Sequence, residues 1–326
     1  MGIRKAIGLL SGGLDSLLAV KLIQEQGIKV TAISFKTPFF GASKAKIAAL
    51  QLKVPLIIKD ITRPYLKMLK NPKYGYGKAI NPCNDCHALM INVAGGLMKK
   101  KGYDFIFTGE VLGERPFSQN PASLRAVANT SGYKDYLLRP LSAKLLDITN
   151  PEKEGIVDRD RLLDIQGRSR KRQFELVKKY NIKEYETPAG GCLLTDVNFA
   201  RKVKDVFEHR AKPSIREYEL LRVGRHLRLS KDVKLILGRN EKENKLLRKY
   251  YRNNDILVSA EHLPGPACLL VGKKLRSFVT KACGICAAYS DAKDADRVRI
   301  YIKTGKAKLS KLVFVNKQIK EGIPWI

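Results

Sequence analysis

Apolar and polar positions alternate in blocks along the first half of the chain. Lys5 to Leu10 (KAIGLL) is a short apolar run that breaks at Ser11 into two glycines. A run of that length bounded by turn residues reads as a buried strand. From Leu17 to Gln26 the apolar residues take helical spacing, and Val30 to Phe35 (VTAISF) is again a continuous run. The alternation continues with a helix around Lys44 to Lys53, a strand in PLIIKDI, a long helix from about Asn84 to Lys100, and strands in DFIFTGE and YLLRPL. In the long helix Met90, Val93, Ala94, Leu97 and Met98 hold the i, i+3, i+4, i+7, i+8 spacing of one buried stripe. Strands separated by helices predict an α/β fold, a doubly wound, Rossmann-like parallel sheet with right-handed crossovers. Such sheets bind ligands at the carboxyl ends of their strands.

The second half reads differently. Gly167 to Tyr180 (GRSRKRQFELVKKY) opens a basic helix, a further helix spans Asn198 to Glu208, and AKPS at Ala211 to Ser214 reads as a linker. Strand, turn and helix signals follow, ending in a hairpin in DRVRIYIKTGKAKLSKLVFV. The expected organisation is an ATP-binding α/β domain over 1–180, a cysteine-bearing connector over 181–213, and a smaller basic α+β domain over 214–326.

Charge changes this picture most. The 326 residues carry 62 Lys and Arg against 31 Asp and Glu, a formal net charge of +31. From Arg201 onward the counts are 30 and 13, so the smaller domain is the more basic. A field of this sign attracts a polyanion and makes binding salt-sensitive. A membrane surface is the rival polyanion, but the chain has no run of about 18 apolar residues. The N-terminal apolar run is too short for a signal peptide, and the expectation is a cytoplasmic protein whose six cysteines are reduced thiols or ligands.

The hexapeptide SGGLDS, Ser11 to Ser16, follows the first strand and opens the first helix. Gly12 and Gly13 permit a tight turn whose N–H groups face an anion at a helix N-terminus. Ser11 and Ser16 supply hydroxyls. Asp15 beside a phosphate calls for Mg²⁺ between them. The Gly-Lys-Ser/Thr ending of the kinase-type P-loop is missing. In this setting the hexapeptide resembles the signature of the PP-loop ATP pyrophosphatases, which cleave ATP to AMP and pyrophosphate and adenylate a carbonyl oxygen. FTGEVLGERPFSQ (Phe107 to Gln119) and LRPLSAK (Leu138 to Lys144) look like the fourth- and fifth-strand segments that flank nucleotide in that superfamily. The resemblance makes Ser34, Gly109, Glu110, Arg115 and Arg139 lining candidates, and gives Lys144 a catalytic role beside Asp15.

Cys83 and Cys86 lie one helical turn apart at a predicted helix start, where thiolate pKa values are lowered, and Cys192 stands alone in PAGGCLLTD. Three readings are open: small buried residues, a zinc site completed by His87, or three ligands of an iron–sulfur cluster with one open iron. The zinc geometry is poor, because Cys86 and His87 point to different sides of a helix. A variant of the third reading dispenses with iron and places a persulfide on Cys83 or Cys192. NPCNDC is similar to the Asn-Pro-Cys-x-x-Cys segment of tRNA 2-thiouridine synthetases, and the whole chain is closer still to tRNA 4-thiouridine synthetases of the thermophile type. In cluster-bearing PP-loop thiolases two CxxC cysteines and one distant cysteine hold a [4Fe-4S] cluster. The matching positions here are Cys83, Cys86 and Cys192, with Cys83 and Cys192 also the candidate catalytic thiols. The family implies ATP, Mg²⁺, tRNA and a sulfur donor, either sulfide or a desulfurase-derived persulfide, with a homodimer as a further partner state. The PP-loop starts at Ser11, so no THUMP-type domain is expected before it, and no rhodanese-like carrier is expected after. GRHLRL and GRNEKEN resemble the RNA-binding region of NFACT-type proteins, which implies tRNA docking by the C-terminal domain.

RNA-phosphate candidates are Arg168, Arg170, Lys171 and Arg172 beside the ATP site, and Arg225, Arg228 and Arg239 in the C-terminal domain. CGIC (Cys283 to Cys286) and Cys268 lack an evident fourth ligand and read as small residues packed in a helix and core. Two rival functions share these features. ATP-dependent amidation, as in tRNA lysidine formation, needs no cysteine trio. A non-catalytic RNA-binding protein would release no AMP.

Overall fold

The structure is a computed structural model and describes residues 3–185, 191–292, 296–316, 318 and 323–326. The chain forms two compact units, Met1–Asp196 and Val197–Ile326. The division falls inside the expected connector: Cys192 belongs to the first unit and the helix after it to the second. The Ala-Gly approach to Cys192 lies partly outside the described residues.

The first unit runs β1 (Lys5–Leu9), α1 (Leu14–Glu25), β2 (Lys29–Lys36), α2 (Ser43–Leu52), β3 (Leu56–Asp60), α3 (Thr62–Lys70), α4 (Cys83–Lys101), β4 (Phe105–Phe107), α5 (Pro121–Ser131), β5 (Leu137–Leu138), α6 (Asn150–Lys153) and α7 (Lys171–Lys179). The five strands form one parallel sheet in the order β3-β2-β1-β4-β5. The order reverses beside β1, between β2 and β4, which opens a crevice at the carboxyl end of β1. The α/β expectation is met strand for strand. Ala6 and Ile7 of β1 are fully buried, as a strand covered on both faces requires.

Three helices of this unit were not expected from periodicity: α3, α5 and the single-turn α6. In α3 a proline, Pro64, sits in the first turn, where its missing N–H costs no bond, and the helix buries Tyr65 and Leu69. In α5 Asn120 accepts the Ser123 N–H at 2.8 Å, Pro121 takes the first position, and Gly132 ends the helix at φ +75°. The α4 stripe is rotated from its predicted place. Ala94, Leu97 and Met98 are buried, but Ile91 replaces Met90, because α4 also packs on α5 and the loop after it. A Cβ on Gly95 would lie 2.3 Å from the Tyr133 ring.

The second unit contains α8 (Val197–His209), α9 (Ile215–Leu220), β6 (Arg225–Ser230), β7 (Val233–Leu237), α10 (Glu241–Tyr250), β8 (Ile256–Ala260), β9 (Cys268–Gly272), α11 (Val279–Ala288), β10 (Arg297–Thr304) and β11 (Ala307–Phe314). Its six strands form an antiparallel sheet in the order β11-β10-β8-β9-β7-β6. Cys268, Cys283 and Cys286 are buried in the core between this sheet and α11. Ser214, expected in a linker, caps α9 through a reciprocal pair with Glu217. Among the described residues no helix is long and apolar enough to cross a membrane.

Candidate active site and basic surfaces

The PP-loop joins β1 to α1 at the crevice. Gly12 sits at φ +87°, and a Cβ there would meet the Lys44 backbone at 2.7 Å. Ser11 Oγ accepts the Gly13 N–H at 3.1 Å, and Ser16 Oγ donates to the Gly13 carbonyl at 2.7 Å. The loop is therefore shaped by its own serines. Gly109, just beyond β4, packs against the loop so closely that a Cβ would lie 2.6 Å from the Asp15 carbonyl carbon and the Ser16 nitrogen. Ser34 is buried near the carboxyl end of β2.

Asp15 is the charged group of the loop. Its Oδ2 lies 3.3 Å from Arg170 Nη2, while its Oδ1 is buried with no hydrogen-bond partner. Burial, then the nearby Glu114 carboxylate, pushes the Asp15 carboxyl up to about 6, and Arg170 only partly opposes this. An orphaned buried carboxylate oxygen facing a phosphate-binding turn fits a divalent cation.

Glu110, one residue after Gly109, is a buried hub. Arg139 Nε donates to its Oε2 at 2.9 Å, Thr108 Oγ1 donates to the same oxygen at 3.0 Å, and His87 Nδ1 lies 2.7 Å from its Oε1. Burial alone would raise this carboxyl, but Arg139 and His87 hold it well below the usual carboxylate range. Glu110 and Arg139, expected to line the nucleotide, instead satisfy each other. Removing one partner of such a pair strands a buried charge. Glu110→Ala is expected to cost about 3–5 kcal/mol of stability, measured by denaturant unfolding. A loss under about 1 kcal/mol would show that the network behaves as a surface pair.

The same hub connects the PP-loop to the cysteines. His87 follows Cys86 in α4, whose N-terminus lies at the carboxyl edge of the sheet because the helix runs back toward β4. This arrangement takes His87 to Glu110 and away from any zinc set. Asn81 Nδ2 donates to Cys83 Sγ at 3.2 Å, which gives the asparagine of NPC a physical role. Cys83, Cys86 and Cys192 lie near enough to interact through their charges, gathered about the hydroxyl of buried Tyr65, which hydrogen-bonds Cys86. The lowering of thiol pKa expected at the helix start is not found at Cys86. Burial, and then the neighbouring thiols, pushes Cys86 far up, and burial pushes Cys192 up to about 11. Desolvation outweighs the helix N-terminus. Among the described residues no group of three or more His, Cys, Asp or Glu side chains could hold a single metal ion. Three thiols are the donor type that iron–sulfur clusters take.

Most of the other sequence candidates face solvent. Lys144 is exposed and its ammonium donates to the Asp160 carbonyl at 2.8 Å. Arg115 lies in an exposed turn. Arg168 and Lys171 are exposed, and Arg172 pairs with Asp164 at 2.6 Å. Arg170 does not join them. It turns inward to Asp15 and Glu114, because two buried carboxylates outcompete solvent for its guanidinium. Tyr65, Glu114, Gln173 and Asn81 were not among the expected site residues; the NPCNDC segment marks Asn81, and no local pattern marks the other three.

Comparison with known proteins bears on both units. Residues 3–158 match the family model of thiamine biosynthesis protein (ThiI), and residues 224–323 match that of the NFACT protein RNA binding domain. The tRNA-specific 2-thiouridylase MnmA of Pelobacter propionicus is 26% identical over 42% of this chain and 42% of its own. A probable tRNA sulfurtransferase of Limosilactobacillus reuteri is 30% identical over 42% of this chain and 34% of its own. The chain thus spans roughly a third to two fifths of the length of these relatives. Among solved structures, a 4-thiouridine synthetase–RNA complex with bound ATP is 19% identical with a TM-score of 0.36, covering 56% of this chain and 43% of that one. The U34-tRNA thiolase NcsA of Methanococcus maripaludis, with its [4Fe-4S] cluster, is 17% identical with a TM-score of 0.32, covering 67% and 70%.

In the NFACT-like unit the arginines singled out by sequence are largely engaged. Arg228 forks onto Asp205 at 2.9 and 2.6 Å, and Lys234 joins them at 2.6 Å. Arg239 binds Glu243 through Nε at 3.0 Å. Arg225 is exposed beside the Tyr289 and Trp325 rings. The β10–β11 hairpin presents another basic face. Its register pairs Arg297 with Phe314, Arg299 with Leu312, Tyr301 with Ser310 and Lys303 with Lys308. Partners in an antiparallel pair share a face, and the alternate residues Val298, Ile300 and Ile302 point into the core. Phe314 is 65% exposed, with the Arg297 guanidinium 4.2 Å from its ring centroid.

Proposed function

We propose that the chain catalyses ATP-dependent thiolation of a tRNA uridine. One observation carries this reading: Gly109 and Glu110 tie the PP-loop and the cysteine centre to adjacent residues of one segment. A carbonyl activated at the PP-loop and sulfur held by the thiols would then lie at the same edge of one sheet. The uridine oxygen attacks the α-phosphorus of ATP, pyrophosphate leaves, and N–H groups around Gly12 and Gly13 stabilise its charge. Sulfur from the donor then forms a bond to the activated carbon, and the oxygen departs with AMP. Cys83, Cys86 and Cys192 would hold a [4Fe-4S] cluster; when bound, it keeps one iron without a protein ligand and supplies sulfur there. Asn81 and Tyr65 orient two of the three sulfurs by hydrogen bonding. A persulfide on Cys192 fits less well, since a thiol raised by burial is a weak nucleophile.

Mass spectrometry of nucleosides from tRNA isolated with and without the gene tests the reading. An unchanged set of thiolated nucleosides would sink it.

The tRNA would dock on the outward face of the β10–β11 hairpin, where an aromatic ring between cations offers a stacking surface for an unpaired base. Phe314→Ala is expected to weaken tRNA binding by about tenfold and leave ATP binding alone. Lys308→Gln should flatten the salt dependence. Filter binding across a salt series reads both, and equal affinity of the Phe314 variant and wild type removes this face from the tRNA site.

A further inference from the structure

Arg170 flanks the N-terminus of α7, whose opening basic residues are otherwise exposed. Its guanidinium reaches Asp15 Oδ2 at 3.3 Å and engages Glu114 through Nε at 3.0 Å and through Nη2. Two carboxylates from separate segments, the PP-loop and the turn after β4, thus meet on one cation. The arrangement is not satisfied. Asp15 Oδ1 is buried and unpartnered. Gln173, in the first turn of α7 and 0% exposed, turns its amide toward Asp15 in a geometry that leaves neither amide atom a full hydrogen bond. Pairs kept only for stability rarely leave such atoms orphaned.

We propose that Arg170 is an internal counter-cation that Asp15 and Glu114 exchange for a divalent metal when nucleotide enters, and that its freed guanidinium then binds the nucleotide's polyphosphate. This rests on the nucleotide reading above and adds Glu114 as a second metal carboxylate and Gln173 as the amide that orients Asp15. The charge arithmetic favours exchange. A guanidinium neutralises one of two carboxylates, a divalent ion neutralises both, and the planar fork of arginine fits phosphate oxygens as well as carboxylate oxygens.

The exchange is read without turnover. Mn²⁺ binding is followed by electron paramagnetic resonance and ATP binding by calorimetry, on the full chain and on Arg170→Gln and Glu114→Gln. Arg170→Gln is expected to bind Mn²⁺ alone about tenfold more tightly and Mg·ATP about tenfold more weakly, the size of one charge-assisted hydrogen bond. Glu114→Gln should lose about tenfold in Mn²⁺ affinity when a non-hydrolysable ATP analogue is present, while binding that analogue in EDTA more tightly. Opposite shifts for metal and nucleotide in one variant do not arise from general destabilisation. If Arg170→Gln fails to melt cooperatively, Glu114→Gln decides. Variants that bind both ligands as wild type does overturn the exchange alone, whereas a wild-type protein that binds no ATP overturns the nucleotide reading and the exchange together.

Discussion

Protein purified without oxygen is expected to be brown and to contain about four irons per chain. Cys83→Ala, Cys86→Ala and Cys192→Ala should each lose the colour and the thiolation. Each removes one of three thiols gathered about Tyr65, and two thiolates hold a cubane poorly. AMP and pyrophosphate release should persist in the Cys192 variant, because the PP-loop contacts run through Gly109 and Asp15 rather than through this cysteine. Cys268→Ala, Cys283→Ala and Cys286→Ala should keep colour and activity. These cysteines fill the core between α11 and the antiparallel sheet, so their loss costs packing, about 1 kcal/mol each. Iron analysis and nucleoside mass spectrometry check the whole series. A colourless wild-type protein that thiolates tRNA from a persulfide donor would remove the cluster, and activity in all three PP-loop-unit variants would remove any role for the trio.

The second large effect is at Asp15. Asp15→Asn should abolish AMP formation, since a neutral amide holds a divalent cation beside phosphate far more weakly than a carboxylate does. The same change should stabilise the ligand-free protein at neutral pH. A carboxyl raised from 3.8 to about 6 in the fold binds more protons folded than unfolded between those values. Stability therefore falls as pH rises through that window and stays lower above it. Asparagine has no such loss, so the variant should exceed wild type above pH ~6 by up to about 3 kcal/mol. The two should converge below pH ~4, where the carboxyl is protonated in both states. Thermal melts across pH measure this. A variant less stable than wild type at pH ~7.5 would show that the Arg170 pair outweighs the burial of the charge, while AMP formation at the wild-type rate would overturn the PP-loop role.

What the sequence determined by itself was local. The five strands of the first unit follow from apolar runs whose length and spacing already state how they are buried. SGGLDS could be read because its glycines and serines shape the loop with their own atoms, Ser11 to Gly13 and Ser16 to Gly13. The C-terminal hairpin followed from simple alternation. The tertiary structure decided which charges are free. A run of arginines states that charge is present, not where each side chain points. Arg170 left its exposed neighbours for Asp15, 155 residues away, and Arg228 went to Asp205, 23 residues away. Glu110 read in the sequence as a strand-end carboxylate, and the fold gives it three buried partners, Arg139, Thr108 and His87. The thiol at Cys86 was expected low and stands high, because desolvation depends on everything packed around a group and not on its place in a helix. Tyr65, Glu114 and Gln173 have meaning only through partners distant in the chain, and long-range contacts of that kind leave no periodic trace in the sequence.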